Sequence, residues 1–328
     1  MVRCSFVTAL PDSLYMERLA DTSFRPVFIL GLPRSGTTIL YRILDKTAQF
    51  NVVTLYHVLY HDRLLEHHFK GGADAAIQEI TDYFTRHDVE TREADSLSVG
   101  PRQPKEYGFM LPESGFPWNI TEQNSGRIAG LCKKISYIED NGRQILLKNP
   151  FDFANFMRIK TIFPHARFIF IHRHPIDVLD SQIRGIRQIF REKNDYLALI
   201  FNTYGAAFDN PLTRWLFRMS FSPYIPLGLL YLMQRVARAA QYYVNHIWEL
   251  PREDYVSITY EQLCRRPRDT IAHILDHFGL DASFDAGQYI QPRDTETPPQ
   301  IRKLDQIIYN RTKQYCQLHG YSSLSNRT

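Results

Sequence analysis

Val27-Phe28-Ile29-Leu30-Gly31-Leu32-Pro33-Arg34-Ser35-Gly36-Thr37-Thr38 is the stretch that decides the fold. Its first four residues are continuously apolar, which is the pattern of a strand buried on both faces. Beyond it, Ile39, Leu40, Ile43 and Leu44 recur at helical spacing, so a strand enters the turn and an amphipathic helix leaves it. Such a turn aims backbone N–H groups and the positive end of a helix dipole at one spot, which suits a phosphate-like anion. Gly31 and Gly36 have the separation of the two glycines in a Walker A loop, but Thr37 stands where that loop has its lysine. Arg34 is the cation offered instead. On the two glycines alone, a plain strand-to-helix turn with a Thr cap fits equally well.

Outward from this turn the same alternation repeats. Ile145-Leu146-Leu147, Phe168-Ile169-Phe170-Ile171 and Tyr255-Val256-Ser257-Ile258 are further short apolar runs. Ile159, Ile162 and Phe163 lie on one helical face before the third run. Thr270 to Phe278 reads as a helix, with Ile271, Ile274, Leu275 and Phe278 on its apolar side and Gly279 near its end. Strands alternating with helices predict an α/β fold, a central parallel sheet with helices on both faces. Residues of about 50–144 and 185–249 read as helical insertions on that core. With no internal repeat and no linker, residues 1–328 are expected to form a single domain.

The third apolar run leads into His172-Arg173-His174-Pro175-Ile176-Asp177-Val178-Leu179-Asp180-Ser181. Pro175 suits the first turn of a helix, and Asp177 is favourable near its start. Arg173 is then placed at the C-terminal end of a sheet strand, where open α/β sheets bind ligands. Ser181 follows about two turns into the helix. An arginine from the strand end and a serine from the helix can grip a phosphate together.

These two segments carry a resemblance. Pro33-Arg34-Ser35-Gly36-Thr37-Thr38 resembles the 5′-phosphosulfate loop of sulfotransferases that use 3′-phosphoadenosine 5′-phosphosulfate (PAPS). Arg173 and Ser181, eight positions apart across R-x-P-x-D, resemble that family's 3′-phosphate motif. Leu147-Lys148-Asn149-Pro150 and Ile258-Thr259-Tyr260-Glu261-Gln262-Leu263 resemble two more of its strand ends, so the likeness runs from about Pro26 to Leu280. It implies a P-loop-like three-layer fold and sulfuryl transfer from PAPS to a hydroxyl acceptor by in-line displacement, releasing 3′,5′-ADP. It further implies that Arg34, Ser35, Gly36, Thr37 and Thr38 hold the 5′-phosphosulfate, and that Arg173 and Ser181 hold the 3′-phosphate. Tyr260 is a candidate contact for the adenine, or a buried structural tyrosine.

Negative charge builds on the bridging oxygen in such a transfer, so Arg34 and then Lys148 are the candidate stabilising cations. No metal is required by this scheme. A general base is needed for the hydroxyl. Glu106, in Pro104-Lys105-Glu106-Tyr107, resembles an acidic position of a bacterial subgroup and ranks first; Asp152, aligned with a histidine of some relatives, ranks second. His57 and His61 fall where other relatives carry acidic site residues, but packing roles suit them better. The C-terminal R-K-G element of the cytosolic relatives is absent, leaving Arg293 and Arg302 as weak substitutes.

Composition is consistent with this reading. The chain has 328 residues, 44% hydrophobic and 23% charged, which is ordinary for a globular protein and excludes wholesale disorder. Its 39 Lys+Arg against 35 Asp+Glu form no dense basic block, so no nucleic-acid partner is expected. Cys4, Cys132, Cys264 and Cys316 are scattered, which argues against a zinc or redox pair and suggests the cytoplasm. Asp12, Glu17 and Arg18 break up the first twenty residues, so no signal peptide is expected. No transmembrane segment is expected; Trp215 to Met233, the nearest approach, is interrupted by Arg218 and prolines. The second insertion carries Phe201, Tyr204, Phe208, Trp215, Phe217, Phe221 and Tyr224, read as the core of a helical subdomain or as a lid over an apolar acceptor pocket. A homodimer is possible. The competing functions are a P-loop-type nucleotide phosphotransferase (kinase), which would need the missing lysine and Mg²⁺, and a catalytically silent nucleotide-binding relative.

Overall fold

The computed structural model describes residues 11–92, 97–111, 118–200, 202–222, 227–290 and 302–323. Cys4, Phe201, Tyr224 and Arg293 lie outside them. Five strands form one parallel sheet: β1 (Pro26–Leu30), β2 (Phe50–Val52), β5 (Gln144–Lys148), β6 (Arg167–His172) and β7 (Tyr255–Thr259). Between them in the chain, β3 (Thr91–Arg92) and β4 (Leu97–Ser98) make a small antiparallel pair. The sheet order is β2-β5-β1-β6-β7, so β1 is central and the chain order reverses on either side of it. That reversal opens a crevice at the C-terminal edge, where the turn after β1 emerges.

Side chains alternate along each strand, and here both faces are dry. Phe28, Leu30, Ile145, Leu147, Phe168 and Phe170 enter one core; Val27, Ile29, Leu146, Ile169 and Ile171 enter the other. The first core is covered by Ile128, Leu131 and Ile135 of helix Ser125–Glu139 and by Ile176, Leu179 and Ile183 of helix Pro175–Arg191. The second is covered by Leu40, Ile43 and Leu44 of helix Thr37–Lys46 and by Ile271, Ile274 and Leu275 of helix Pro267–His277. The parallel sheet with helices on both faces expected from the apolar runs, and the P-loop-like three-layer fold implied by the resemblance, are observed. Burying each such strand residue contributes roughly 1.5–3 kcal/mol, which is why four-residue apolar runs suffice to define strands.

The insertion of residues about 50–144 is not purely helical. It opens with β2, an edge strand of three residues, and includes the β3–β4 pair. Asn51 breaks the apolar run of β2 and instead exchanges amide hydrogen bonds with Asn141, each 2.9 Å.

At the other end of the chain, helix Lys313–Leu318 delivers His319 onto His172, with ring centroids 3.7 Å apart and planes 21° from parallel. Burial, and then the neighbouring His319, hold His172 well below the ordinary imidazole range. Burial lowers His319 to about 4. The unfolded chain takes up these protons near pH ~6.5, whereas the folded chain does not, so the stabilisation is present above that pH and is lost on acidification. Thermal melts are expected to show falling stability between pH ~6.5 and ~4, with a slope of about 1 kcal/mol per pH unit from His319. A His319→Phe variant is expected to flatten that slope; an unchanged slope would place the acid sensitivity elsewhere.

Candidate active site

The turn after β1 takes a shape that most residues resist. Arg34 has φ 76° and Gly36 has φ 101°, both left-handed. At Gly36 a Cβ would come within 2.5 Å of the Tyr260 ring, so glycine is required there by space as well as by backbone angle. Ser35 donates its N–H to the Leu32 carbonyl at 2.9 Å, closing the turn. Its hydroxyl is fully buried and has no hydrogen-bond partner among the described residues. Thr37, also buried, opens the helix. A buried hydroxyl left over in a glycine-bearing turn at a helix N-terminus is the donor set an anion would complete.

β6 and helix Pro175–Arg191 bring up the second half of the site. His174 caps this helix, its Nδ1 accepting the Ile176 N–H at 3.3 Å, with Pro175 in the first turn. Arg34 Nε donates to Ser181 Oγ at 3.1 Å, and Arg173 Nη1 donates to the Arg34 carbonyl at 3.2 Å. The Arg173 guanidinium lies 4.6 Å from the centre of the Tyr260 ring. Arg34, Arg173, Ser181 and Tyr260 are therefore one connected group. Tyr260 is half-buried, packing under Gly36 and against Arg173. Gln182, which no motif singles out, steadies the turn by donating to the Pro33 carbonyl at 2.8 Å.

A second chain of contacts begins at Thr38. Lys148, the last residue of β5, is 2% exposed and donates to Thr38 Oγ1 at 2.7 Å and to Glu106 Oε1 at 2.6 Å. Glu106 reaches this position because the preceding residues run beside the end of β2, with Lys105 N–H on the Val53 carbonyl at 2.8 Å. Lys105 Nζ lies 3.5 Å from Glu106 Oε2 and donates to the Tyr196 hydroxyl at 2.9 Å. The carboxylate thus sits between two buried ammonium groups. Lys105 and Tyr196 were not legible beforehand, since one is a neighbour of the named acid and the other lies 91 positions further along.

Asp152 stands apart from this chain. It is fully buried and accepts four hydrogen bonds: from Tyr107 OH at 2.6 Å, Asn149 Nδ2 at 2.8 Å, Ile120 N–H at 3.0 Å and Asn155 Nδ2 at 2.7 Å. Burial raises its carboxyl above the ordinary value, partly offset by these bonds. Every lone pair is used, so its geometry is that of a clamp between segments, not of a base open to a hydroxyl. His57 and His61 hydrogen-bond to nearby backbone at Thr54 and Val58, and burial lowers His57 to about 4. Arg302 is exposed. What packs over the strand end instead is the C-terminal segment, through His174 Nε2 to the Ser322 carbonyl at 2.9 Å and Tyr321 OH to Glu261 at 2.9 Å.

With this geometry in place, a family model described as the sulfotransferase family matches residues 26–221. The chain belongs to the sulfotransferase family. The match spans the turn, Glu106, Lys148, Arg173 and Ser181, and it decides for sulfuryl transfer over the kinase reading. Two solved structures share the fold. Sulfotransferase STF9 from Mycobacterium avium is 14% identical with a TM-score of 0.62, the alignment covering 95% of this chain and 82% of that one. Sulfotransferase STF1 from Mycobacterium tuberculosis H37Rv is also 14% identical, with a TM-score of 0.52 and coverage of 92% and 81%. Comparison with curated proteins by sequence gives no match. The sulfotransferase is thus an enzyme whose family implies PAPS as sulfuryl donor and a small-molecule acceptor. Among its described residues there is no group of three or more metal-ligating side chains, and no helix long and apolar enough to cross a membrane.

Proposed function

We propose that the sulfotransferase passes the sulfuryl group of PAPS to an acceptor hydroxyl, with Glu106 as base. The observation that carries this is the Thr38–Lys148–Glu106 chain, its lysine and carboxylate buried, which links the turn after β1 directly to a carboxylate. The residues present fit the donor: the orphan Ser35 hydroxyl, the Gly36 cradle and Arg34 suit a 5′-phosphosulfate, and Arg173 with Ser181 suits a 3′-phosphate. Ser181 accepts from Arg34, which leaves its own proton free to donate. When bound, PAPS supplies the sulfuryl group and leaves as 3′,5′-ADP.

Lys148 is fixed by two acceptors before any substrate arrives, so its charge needs no reorganisation to stabilise a developing anion. Glu106 is held by Lys148 and Lys105, at 2.6 and 3.5 Å. It need not be a strong base, because the acceptor hydroxyl becomes strongly acidic only as its oxygen bonds to sulfur, and the proton can move late. Asp152 we assign to holding Tyr107, Asn149 and Asn155 around the site. We read residues 1–328 as one domain, on the support that one sheet separates both cores. Free thiols at Cys132, Cys264 and Cys316 support a cytoplasmic setting.

Calorimetric titration with 3′,5′-ADP, with ATP and 5′-AMP as controls, tests the reading. Selective binding of 3′,5′-ADP is expected, weakened by about 10- to 100-fold in Arg173→Ala through loss of a charge-assisted contact. A preference for ATP, or equal affinity for 5′-AMP, would overturn the assignment of Arg173 and Ser181.

A further inference from the structure

Helix Pro211–Ser220 contains no buried residue. Phe217 stacks on Phe190, with centroids 4.4 Å apart and planes 10° from parallel, and Arg218 donates to the Phe190 and Arg191 carbonyls. That side therefore faces helix Pro175–Arg191. Leu212, Trp215 and Leu216, spaced i, i+3 and i+4, form a stripe on the opposite side and are 64%, 56% and 50% exposed. A surface helix ordinarily turns such a stripe inward. This one turns it out.

The patch continues across the corner. A Cβ at Gly228 would meet the Phe221 ring and the Ser220 carbonyl, so the start of helix Leu227–His246 packs directly against the end of helix Pro211–Ser220. There Leu227, Leu230 and Tyr231 are exposed as well. Residues 210–248 contain not one Asp or Glu. Arg218 is turned to helix Pro175–Arg191 and Arg214 lies 5.2 Å from the Phe208 ring, so the basic groups beside the exposed apolar face are Arg235 and Arg238 of helix Leu227–His246, both exposed. Apolar residues including a tryptophan, with arginines and no acids between them, are the composition of a surface that lies in the headgroup layer of an anionic membrane.

We propose that this corner, the outward face of helix Pro211–Ser220 with the first turns of helix Leu227–His246, docks on an anionic lipid bilayer. Charge decides against a second copy as occupant. A two-fold interface sets a patch against itself, and the exposed Arg235 and Arg238 would find no carboxylate within the facing copy of residues 210–248. An anionic headgroup layer attracts the same arginines, each contributing favourably within a Debye length of the surface. Trp215 is exposed, whereas Tyr204 and Phe208 of the same insertion are buried as core.

The test uses the full chain and vesicle flotation, independently of turnover. Binding to vesicles of phosphatidylcholine with phosphatidylglycerol is expected to exceed binding to phosphatidylcholine alone by about tenfold or more, and to weaken with salt. The triple variant Leu212→Ser, Trp215→Ser, Leu216→Ser alters only exposed side chains. It is expected to lose about tenfold or more of the vesicle binding while keeping its circular dichroism spectrum and its 3′,5′-ADP affinity. Failure of the parent protein to bind anionic vesicles would overturn the proposal, as would undiminished binding by the triple variant. So would a concentration-dependent dimer in sedimentation equilibrium that the triple variant abolishes, since the occupant would then be a second copy.

Discussion

Glu106→Gln is expected to lower kcat by about 10²- to 10⁴-fold, while leaving 3′,5′-ADP affinity within about threefold of the parent value. Glutamine keeps the length of the side chain and one oxygen to accept from Lys148, so the 2.6 Å contact can persist while the proton-accepting charge is gone. If the carboxylate acts on the acceptor and not on the nucleotide, the effect should fall on kcat. The pH–rate profile separates a base from a residue that merely aims Lys148. In the parent enzyme the acidic limb should follow titration of this carboxylate, and in Glu106→Gln that limb should vanish. Full turnover by the variant would remove Glu106 as the base. A reduced rate with the acidic limb intact would make it a positioning residue for Lys148.

The contrast between what could and could not be read from the chain has a physical pattern. Arg34 and Arg173 were legible because each sits in a local strand–turn–helix unit, where short-range chemistry (continuous apolarity, then Gly or Pro, then helical spacing) dictates position. Their partnership was not, since the Arg173 to Arg34 contact spans 139 positions. Lys148 was legible as a strand end. Its burial against Glu106 was not, because a lysine at the end of an apolar run ordinarily points to water. β2 escaped because three residues interrupted by Asn51 leave no period to detect. The stripe on helix Pro211–Ser220 was visible as aromatic composition, but which way it faces is settled only by the Phe217–Phe190 stack. Asp152 shows the same limit in reverse: alignment named the carboxylate, but not the four donors that occupy it. Local pattern identifies groups, while burial and long-range contacts set their roles.

Lys148→Met isolates the electrostatic core of the site. Lys148 and Glu106 are a buried ion pair, and removing one partner leaves the other charge in a low-dielectric place. The single variant is expected to lose about 3–5 kcal/mol of stability in urea titrations. Lys105, 3.5 Å from the other carboxylate oxygen, limits that loss but cannot replace a 2.6 Å contact. Adding Glu106→Gln removes the stranded charge, so the double variant should recover most of the lost stability, because replacing both members of a buried pair is often near neutral. Activity should behave differently. If Lys148 stabilises the developing negative charge, its loss costs about 10²- to 10³-fold in kcat, and the double variant should be no faster than the slower single variant, as expected for groups acting as one unit. Stability that returns without turnover would separate the catalytic charge of Lys148 from its structural one. Turnover that returned along with stability would overturn both assignments, since the double variant lacks the Lys148 cation and the Glu106 carboxylate alike, and the stabilising cation would then have to be Arg34.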